Sequence, residues 1–214
     1  MQRRAFCGGL LAGGATLAVG GEALAEGFCG NPQCNPWTSE CVRQCTVGLP
    51  TGFIQYVRAA KQQQASQWCW AACIQMVFAA HGFKVPQQVF VQQTFGGIVD
   101  MPGQPHQILA ALNREYVDTD GKRFRAHGDS FSVNLATARD DLFNRQPLIV
   151  GALGHATVLT ALSWVENNMG ATQVTQAVVR DPWPGNPSKR LLAPQEWFNI
   201  MFAARVRCEA LPED

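Results

Sequence analysis

The residue of this chain best suited to covalent chemistry is Cys69, which begins a strongly apolar segment. Nearly every residue from Cys69 to His81 is apolar, and a helix that is hydrophobic all round is a buried helix. Ser66 is a good N-cap, which would place Cys69 in the first turn, at the third helical position. Unpaired backbone N–H groups and the helix dipole favour negative charge there. The sequence therefore predicts a thiol that is shifted towards the thiolate, its nucleophilic form.

A cysteine nucleophile needs a general base, and the chain contains four histidines. His155 is the favoured base, because Gly154 opens the backbone before it and a long apolar run follows, which predicts a strand. Its imidazole would then lie at the rim of a sheet. His81 ends the same helix that the cysteine begins, which would separate the two by about 18 Å. His106 and His127 are interpreted as surface or helix-start residues.

The base needs a third group that fixes its tautomer. Asp181 is the candidate, because it ends a run predicted as a strand and begins the turn Asp181-Pro182-Trp183-Pro184-Gly185. The alternative is an aspartate that only caps its own loop, which is common for Asp before Pro. Asn186 is a nearby substitute for the orienting role.

The segment from Gln63 to Ala72 resembles the active-site segment of papain-like cysteine peptidases. Gln63 lies six positions before Cys69, and Trp70-Ala71 follow the cysteine. The run Trp68-Cys69-Trp70-Ala71-Ala72 is most similar to the compact bacterial branch of that family, near the double-glycine-leader peptidases and the secreted effector peptidases of plant pathogens.

The resemblance implies a cysteine peptidase that hydrolyses peptide bonds through a thioester acyl-enzyme. Cys69 would be the nucleophile, His155 the base and Asp181 the orienting residue. The side chain of Gln63 and the N–H of Cys69 would form the oxyanion hole, and Trp183 would shield the imidazole from water. The implied chemistry needs no metal and no organic cofactor.

The elements that must position these residues change character along the chain. Helical patterns come first and strand patterns follow, which predicts an α+β domain whose two lobes meet at a cleft. The resemblance implies a papain-like two-lobed fold, with a helical N-terminal half around a central buried helix and an antiparallel sheet in the C-terminal half. The predicted helices span 86 to 93, 105 to 114, 134 to 144 and 194 to 202, and the predicted strands span 147 to 153, 155 to 165, 173 to 180 and 204 to 208.

Residues 1–25 are predicted to be an export signal. Arg3-Arg4 forms a charged start, a Gly- and Ala-rich apolar region follows, and Ala23-Leu24-Ala25 offers a small-x-small cleavage site. Arg3-Arg4-Ala5-Phe6 also resembles a twin-arginine signal, and the export route stays open. The alternative is a retained N-terminal helix or membrane anchor. The predicted location of the mature protein is the periplasm or the extracellular medium.

Residues 26–60 are predicted to be a cysteine-rich extension, and residues 61–214 the peptidase domain. Four cysteines lie in the extension, which suggests disulfides formed in an oxidising compartment. A zinc knuckle is the alternative, but the cysteines lack the paired CxxC spacing of such sites. The disulfide connectivity, the state of Cys73 and a propeptide role for the extension stay open. The four cysteines are Cys29, Cys34, Cys41 and Cys45.

The charge of the chain gives no case for nucleic acid or an anionic membrane as partner. The formal net charge is +1, and without residues 1–25 there are 15 basic and 15 acidic residues. After the predicted signal, no stretch of the sequence is long and apolar enough to span a bilayer. We expect a monomer that acts on a peptide or protein substrate.

The proposed Cys-His-Asp set does not by itself fix the bond that is cleaved. The same arrangement supports amidase, transglutaminase-like and cell-wall endopeptidase chemistry. A non-catalytic, disulfide-rich secreted binding protein is the alternative from a different class. A Cys69 that is bound in a disulfide would favour that binding protein.

Overall fold

The computed structural model describes residues 26–59 and 62–212, so the predicted export signal lies outside the described residues. This part of the chain contains six helices: α1 (Thr51–Ala59), α2 (Cys69–Ala80), α3 (Gln87–Phe95), α4 (Pro105–Ala111), α5 (Leu135–Phe143) and α6 (Pro194–Phe198). None of these described helices is long and apolar enough to cross a membrane. The same residues form ten strands: β1 (Glu26–Cys29), β2 (Gln33–Cys34), β3 (Cys41–Gly48), β4 (Glu115–Val117), β5 (Arg123–Phe131), β6 (Leu148–Ala152), β7 (His155–Asn167), β8 (Thr172–Arg180), β9 (Lys189–Leu191) and β10 (Ile200–Ala210).

The strands form one antiparallel sheet with β7 near its centre. The order along the sheet is β1-β3-β7-β6-β10-β5-β4, and β2 pairs with β3, β8 with β7, and β9 with β8. β7 is the longest strand, with 13 residues, and it pairs with β3, β6 and β8. The sheet therefore connects the N-terminal strands directly to the strands of the C-terminal half.

The predicted papain-like two-lobed α+β fold, with a helical N-terminal half, is wrong. Strands run through both halves, because β1, β2 and β3 precede the first helix and β4 and β5 precede α5. These strands are hard to recognise because they bury few side chains. In β3, Cys45 and Val47 are buried, whereas Arg43 and Gln44 are exposed. A strand with so few buried positions lacks a clear apolar alternation and is easily taken for a loop.

The sheet separates two hydrophobic clusters. Ile149 of β6 belongs to the cluster that contains α2, whereas its neighbours Leu148 and Val150 belong to the cluster that contains Leu142 of α5. Successive residues of a strand point to opposite faces. The helices α2 and α5 therefore cover opposite faces of the sheet.

The helix α2 is buried, as the sequence predicts. Nine of its twelve residues are buried, Phe78 among them. The ring of Phe78 meets the rings of Phe90, Tyr116 and Phe124 in edge-on contacts, with centroids 5.1 to 5.5 Å apart. Such aromatic contacts stabilise the packing beyond the burial of apolar area, so the helix that begins with Cys69 is firmly anchored.

The four cysteines of the N-terminal strands form two disulfides, Cys29–Cys45 and Cys34–Cys41. The prediction of disulfides is confirmed, and these four thiols are not free to bind zinc. Each bridge joins two residues that face each other across a strand pair, β1 with β3 and β2 with β3. The remaining cysteines of the described part of the chain are free thiols, namely Cys69, Cys73 and Cys208.

Candidate active site

Cys69 is the first residue of α2, so its thiol lies at the mouth of a buried helix. The predicted N-cap, Ser66, is wrong, because Trp68 precedes the helix and Cys69 takes the first rather than the third helical position. The hydroxyl of Ser66 donates instead to Oδ2 of Asp100 at 2.7 Å. The first turn still presents backbone N–H groups that lack intrahelical partners, and these favour a thiolate.

His155 begins β7, directly after the tight turn that joins it to β6. Ala152 pairs with His155 across this turn, and the two residues between them, Leu153 and Gly154, have φ angles of 51° and 80°. Positive φ at both positions matches the twist of the flanking strands, and glycine adopts it without strain. The turn therefore places the imidazole at an end of the sheet.

Asp181 follows β8 and lies against the imidazole. Its Oδ1 atom is 2.8 Å from Nε2 of His155, and its side chain is fully buried. The thiol of Cys69 interacts with the same imidazole, and this interaction lowers the pKa of the thiol. Since Nε2 is engaged with Asp181, Nδ1 is the ring nitrogen left for the thiol. The structure therefore brings Cys69, His155 and Asp181 together.

Asn186 supports Asp181 rather than replacing it. Its Nδ2 atom donates to Oδ2 of Asp181 at 2.8 Å, whereas His155 contacts Oδ1 of the same carboxylate. The backbone N–H of Trp183 also donates to Oδ1, at 2.9 Å. The carboxylate is thus held in one orientation by the turn that follows it.

The pKa of the Cys69 thiol is lowered from its usual value. Burial alone would raise this pKa, but four interactions together outweigh burial, and the largest of the four are hydrogen bonds from His155 and from the backbone N–H of Ala156. The charge of His155 and the backbone N–H of Trp70 lower the pKa further. All four interactions stabilise the thiolate, as a nucleophilic cysteine requires.

The pKa of His155 is raised to about 9. Burial alone would lower it, but hydrogen bonds to Asp181 and Cys69, and the charges of both groups, outweigh burial. An imidazolium is therefore favoured between a thiolate and a carboxylate. Two groups that interact this closely titrate as a pair.

Gln63 lies in the loop before the nucleophile, but its amide is already occupied. Its Nε2 atom donates to the backbone carbonyls of Ala65 and Ser66, both at 2.9 Å. Its backbone N–H donates to the carbonyl of Pro182 at 2.9 Å, which ties this loop to the turn after the aspartate. The Oε1 atom is buried and has no hydrogen-bond partner among the described residues. The predicted role in an oxyanion hole therefore requires the amide to release one of the two carbonyls.

Asp100, which the sequence analysis missed, holds the loop in front of the nucleophile. Its Oδ1 atom accepts from the backbone N–H of Gln67 at 2.7 Å, and Oδ2 accepts from the backbone N–H of Ser66 at 3.2 Å.

Arg190, which contacts Asp181, was missed as well. Both residues come from segments whose sequence patterns give no sign of the contact, so tertiary structure alone reveals them.

Trp68 and Trp70, which flank Cys69, belong to the core. They are only 4% and 1% exposed. The indole N–H of Trp68 donates to the carbonyl of Val99 at 2.8 Å, and that of Trp70 donates to the carbonyl of Met101 at 3.3 Å. Both rings therefore position the loop around the nucleophile from within the core.

Trp183 lies beside the imidazole and covers it only in part. Its ring centroid is 6.4 Å from that of His155, with the two planes perpendicular, and the indole is 42% exposed. The shielding implied by the resemblance is therefore partial, and the imidazole retains access to solvent.

The other three histidines lie apart from this site. The ring of His81 contacts a backbone carbonyl of β10 at the far end of α2. His106 is exposed on α4, and His127 lies on β5 beside Glu209. His155 is thus the histidine that the fold delivers to the thiol.

The assembled groups can perform nucleophilic attack by sulfur and proton transfer by an oriented imidazole. Among residues 26–59 and 62–212, no cluster of three or more His, Cys, Asp or Glu side chains has the arrangement of a metal site.

No protein-family model matches the chain, and no curated protein matches it in sequence. The functional conclusion therefore rests on the geometry of the site and on the residues around Cys69.

Proposed function

We propose that this protein is a cysteine hydrolase that cleaves peptide bonds with Cys69, His155 and Asp181. The observation that carries the proposal is the His155 imidazole, which lies 2.8 Å from a buried carboxylate and interacts closely enough with the Cys69 thiol to lower the pKa of that thiol. The free thiol of Cys69 supports the same conclusion, because a cysteine in a disulfide is not a nucleophile. The resemblance of residues 63 to 72 to papain-like cysteine peptidases supports a peptide as the substrate.

The first half of the reaction is acyl transfer to the enzyme. The thiolate of Cys69 attacks the carbonyl carbon of the scissile bond, and the carbonyl oxygen gains the negative charge. His155 then gives its proton to the leaving amine, the C–N bond breaks, and a thioester remains on Cys69. Asp181 keeps the imidazole in the orientation for both steps.

The second half releases the product. His155, now neutral, takes a proton from water, and the resulting hydroxide attacks the thioester carbonyl. The C–S bond breaks, the carboxylic acid leaves, and the thiolate and imidazolium are restored. The enzyme therefore ends the cycle with the charges with which it began.

The negative oxygen of each tetrahedral intermediate needs hydrogen-bond donors, and the N–H of Cys69 is the first candidate. Gln63 is the second candidate, on condition that its amide gives up Ala65 or Ser66 when substrate binds. One such donor contributes about 3 kcal/mol to stabilisation of the transition state. Replacement of Gln63 by Ala therefore lowers kcat more than it raises KM.

The location of the mature protein is proposed to be the periplasm or the extracellular medium. The two disulfides support an oxidising compartment. The proposed partner is a peptide or protein substrate. The enzyme is proposed to act as a monomer.

A peptide-library digestion tests the proposed activity. The mature chain is incubated with a mixed peptide library, and new termini are identified by mass spectrometry. The wild-type protein and Cys208→Ser, which alters a free thiol outside the triad, are expected to cleave, whereas Cys69→Ala is expected to be inactive. Equal cleavage by Cys69→Ala, or no cleavage by the wild-type protein, overturns the proposal.

A further inference from the structure

The buried carboxylate of Asp181 has a partner that the proposed mechanism does not use. Arg190 of β9 donates from Nε to Oδ2 of Asp181 at 2.5 Å. His155 contacts the opposite oxygen, Oδ1, at 2.8 Å. The aspartate therefore lies between the imidazole and a guanidinium group, with a positive charge on each side.

Arg190 in turn is held by Glu196 of α6. Its two terminal nitrogens lie 2.7 Å from the two carboxylate oxygens of Glu196, which is a bidentate pair. Glu196 also accepts from the backbone N–H of Ala193 at 2.8 Å, at the start of α6. The side chain of Arg190 is only 18% exposed. Arg190 thus has one orientation, which is fixed from both sides.

The positive charge of Arg190 and the negative charge of Glu196 act in opposite directions on the titration of Cys69 and His155. The cation of Arg190 stabilises the ionised form of Asp181 against its burial. The negative charge of Glu196 partly cancels the positive charge of Arg190. The negative charge of Asp181 is therefore still able to stabilise the imidazolium of His155. Removal of Arg190 and removal of Glu196 should therefore change the titration of the site in different ways.

We propose that Arg190 and Glu196 form a positioning pair that keeps Asp181 ionised and oriented, and thereby sets the pH range in which Cys69 and His155 exist as thiolate and imidazolium. This inference rests on the proposed function. Arg190 bonds Asp181 directly and Glu196 bonds Arg190, so both act on His155 through Asp181.

The electrostatics of the aspartate agree with this role. Burial alone would raise the pKa of Asp181, but hydrogen bonds from His155 and Arg190, followed by those of the turn, hold the pKa well below its usual range. The charged and titratable groups that interact with Asp181 come from four elements: Cys73 of α2, His155 of β7, Arg190 of β9 and Glu196 of α6.

The test is the pH dependence of the rate at which iodoacetamide alkylates Cys69, measured beside kcat/KM for a cleaved peptide. In Arg190→Gln, Asp181 protonates more easily. The pH below which the alkylation rate and kcat/KM fall, the acid limb of the profile, is therefore expected to move up by roughly one pH unit. In Glu196→Gln, the cation is no longer offset and disfavours the imidazolium, so the basic limb is expected to move down by roughly half a unit. Arg190→Lys keeps the charge and is expected to restore most of the acid limb.

A purely structural role gives a different pattern. Lower melting temperatures and lower rates, with both limbs unmoved in all three variants, overturn the inference and leave the proposed function in place. A wild-type Cys69 with the reactivity of an ordinary thiol removes the proposed function instead. If Arg190→Gln fails to fold, Glu196→Gln carries the test alone, and a basic limb that does not move down in that variant overturns the inference.

Discussion

His155 is the residue on which the proposed chemistry depends, because it interacts with both Asp181 and Cys69. Asp181 occupies its Nε2 atom, and Cys69 is the partner for the other nitrogen. The imidazolium is stabilised by two anions, and the thiolate by an imidazolium and by backbone N–H groups. Each charge of the site therefore depends on its neighbours.

Replacement of Asp181 by Asn is expected to lower kcat by roughly 10²- to 10⁴-fold, because the imidazole loses its anionic orienting partner. Both oxygens of the Asp181 carboxylate accept hydrogen bonds from donors. The side-chain NH2 of the introduced asparagine, at either of the two positions, would therefore face a donor with which it cannot form a hydrogen bond. The variant should therefore also melt at a lower temperature. Steady-state kinetics and thermal unfolding measure both effects.

The matched control for that variant is Asn186→Ala, which removes one donor and leaves the charge of Asp181 in place. Its kcat is expected to stay within about tenfold of the wild-type value. A kcat for Asp181→Asn that is as high as that of this control contradicts the orienting role.

The activity is expected to decline as the pH rises through about 9, the pKa of His155. The reason is that the charged imidazole is the proton donor for the leaving amine, and a raised pKa keeps it charged across neutral pH. The lowered pKa of Cys69 keeps the thiolate present at lower pH than in an ordinary cysteine. A profile of kcat/KM from about pH 5 to pH 10 measures both limbs. A decline centred near the ordinary pKa of histidine, about 6.5, contradicts the ion pair.

At the scale of elements, the irregular segment 96–103 holds the start of the Cys69 helix in place. Its carbonyls accept from both indoles, and Asp100 accepts from the loop before the helix. The backbone of Gly103 lies directly against the indole of Trp70, and a Cβ atom at Gly103 would be 2.5 Å from that ring. The close approach requires a residue without a side chain.

Gly103→Ala is therefore expected to destabilise the fold by about 1 to 3 kcal/mol, since the buried indole of Trp70 cannot move away freely. The activity should fall with it, because Trp70 is next to Cys69. Gly97→Ala is the control in the same segment, since a Cβ there meets nothing within 4 Å. Equal unfolding free energies for the two variants in a denaturant titration contradict this packing.

Elements with a strong local signal could be predicted from the sequence, and elements defined by pairing could not. The helix α5 begins after Asn134, whose side chain accepts from the backbone N–H of Thr137 as expected of an N-cap. The strands β6 and β7 are apolar and were predicted. The strand β3 buries only two of its eight residues and β4 only one of its three, so only their pairing partners identify them. The predicted cap at Ser66 failed because Asp100, distant in sequence, competes for its hydroxyl.

At the scale of the whole molecule, one continuous sheet carries both the disulfides and the histidine of the proposed active site. Cys45 pairs with Trp164 of β7, nine residues from His155. That separation is roughly 30 Å along the strand. The prediction of two lobes failed because the N-terminal strands join this sheet through β3, a long-range pairing that local patterns do not reveal.

Removal of both disulfides by Cys→Ser substitution at all four positions is expected to lower stability by about 2 to 5 kcal/mol, because the bridges restrict the unfolded chain. The catalytic constants well below the melting temperature should change little, since the bridges lie far from His155. Thermal unfolding and initial rates at low temperature measure the two effects. Loss of activity in a variant that is still folded contradicts this separation of stability and catalysis.

The central claim is that the fold activates Cys69 through His155, and competitive alkylation tests it directly. The folded protein is treated with limiting iodoacetamide at about pH 6, well below the pKa of a free thiol, and the three free cysteines are quantified by mass spectrometry. Burial raises the pKa of Cys208 to about 12, and burial and nearby charge raise that of Cys73 well above its usual value, so both serve as internal controls. We expect rapid labelling of Cys69 alone, which His155→Ala abolishes. Labelling of Cys69 that is no faster than that of the controls, or that is unchanged in His155→Ala, would contradict the claim.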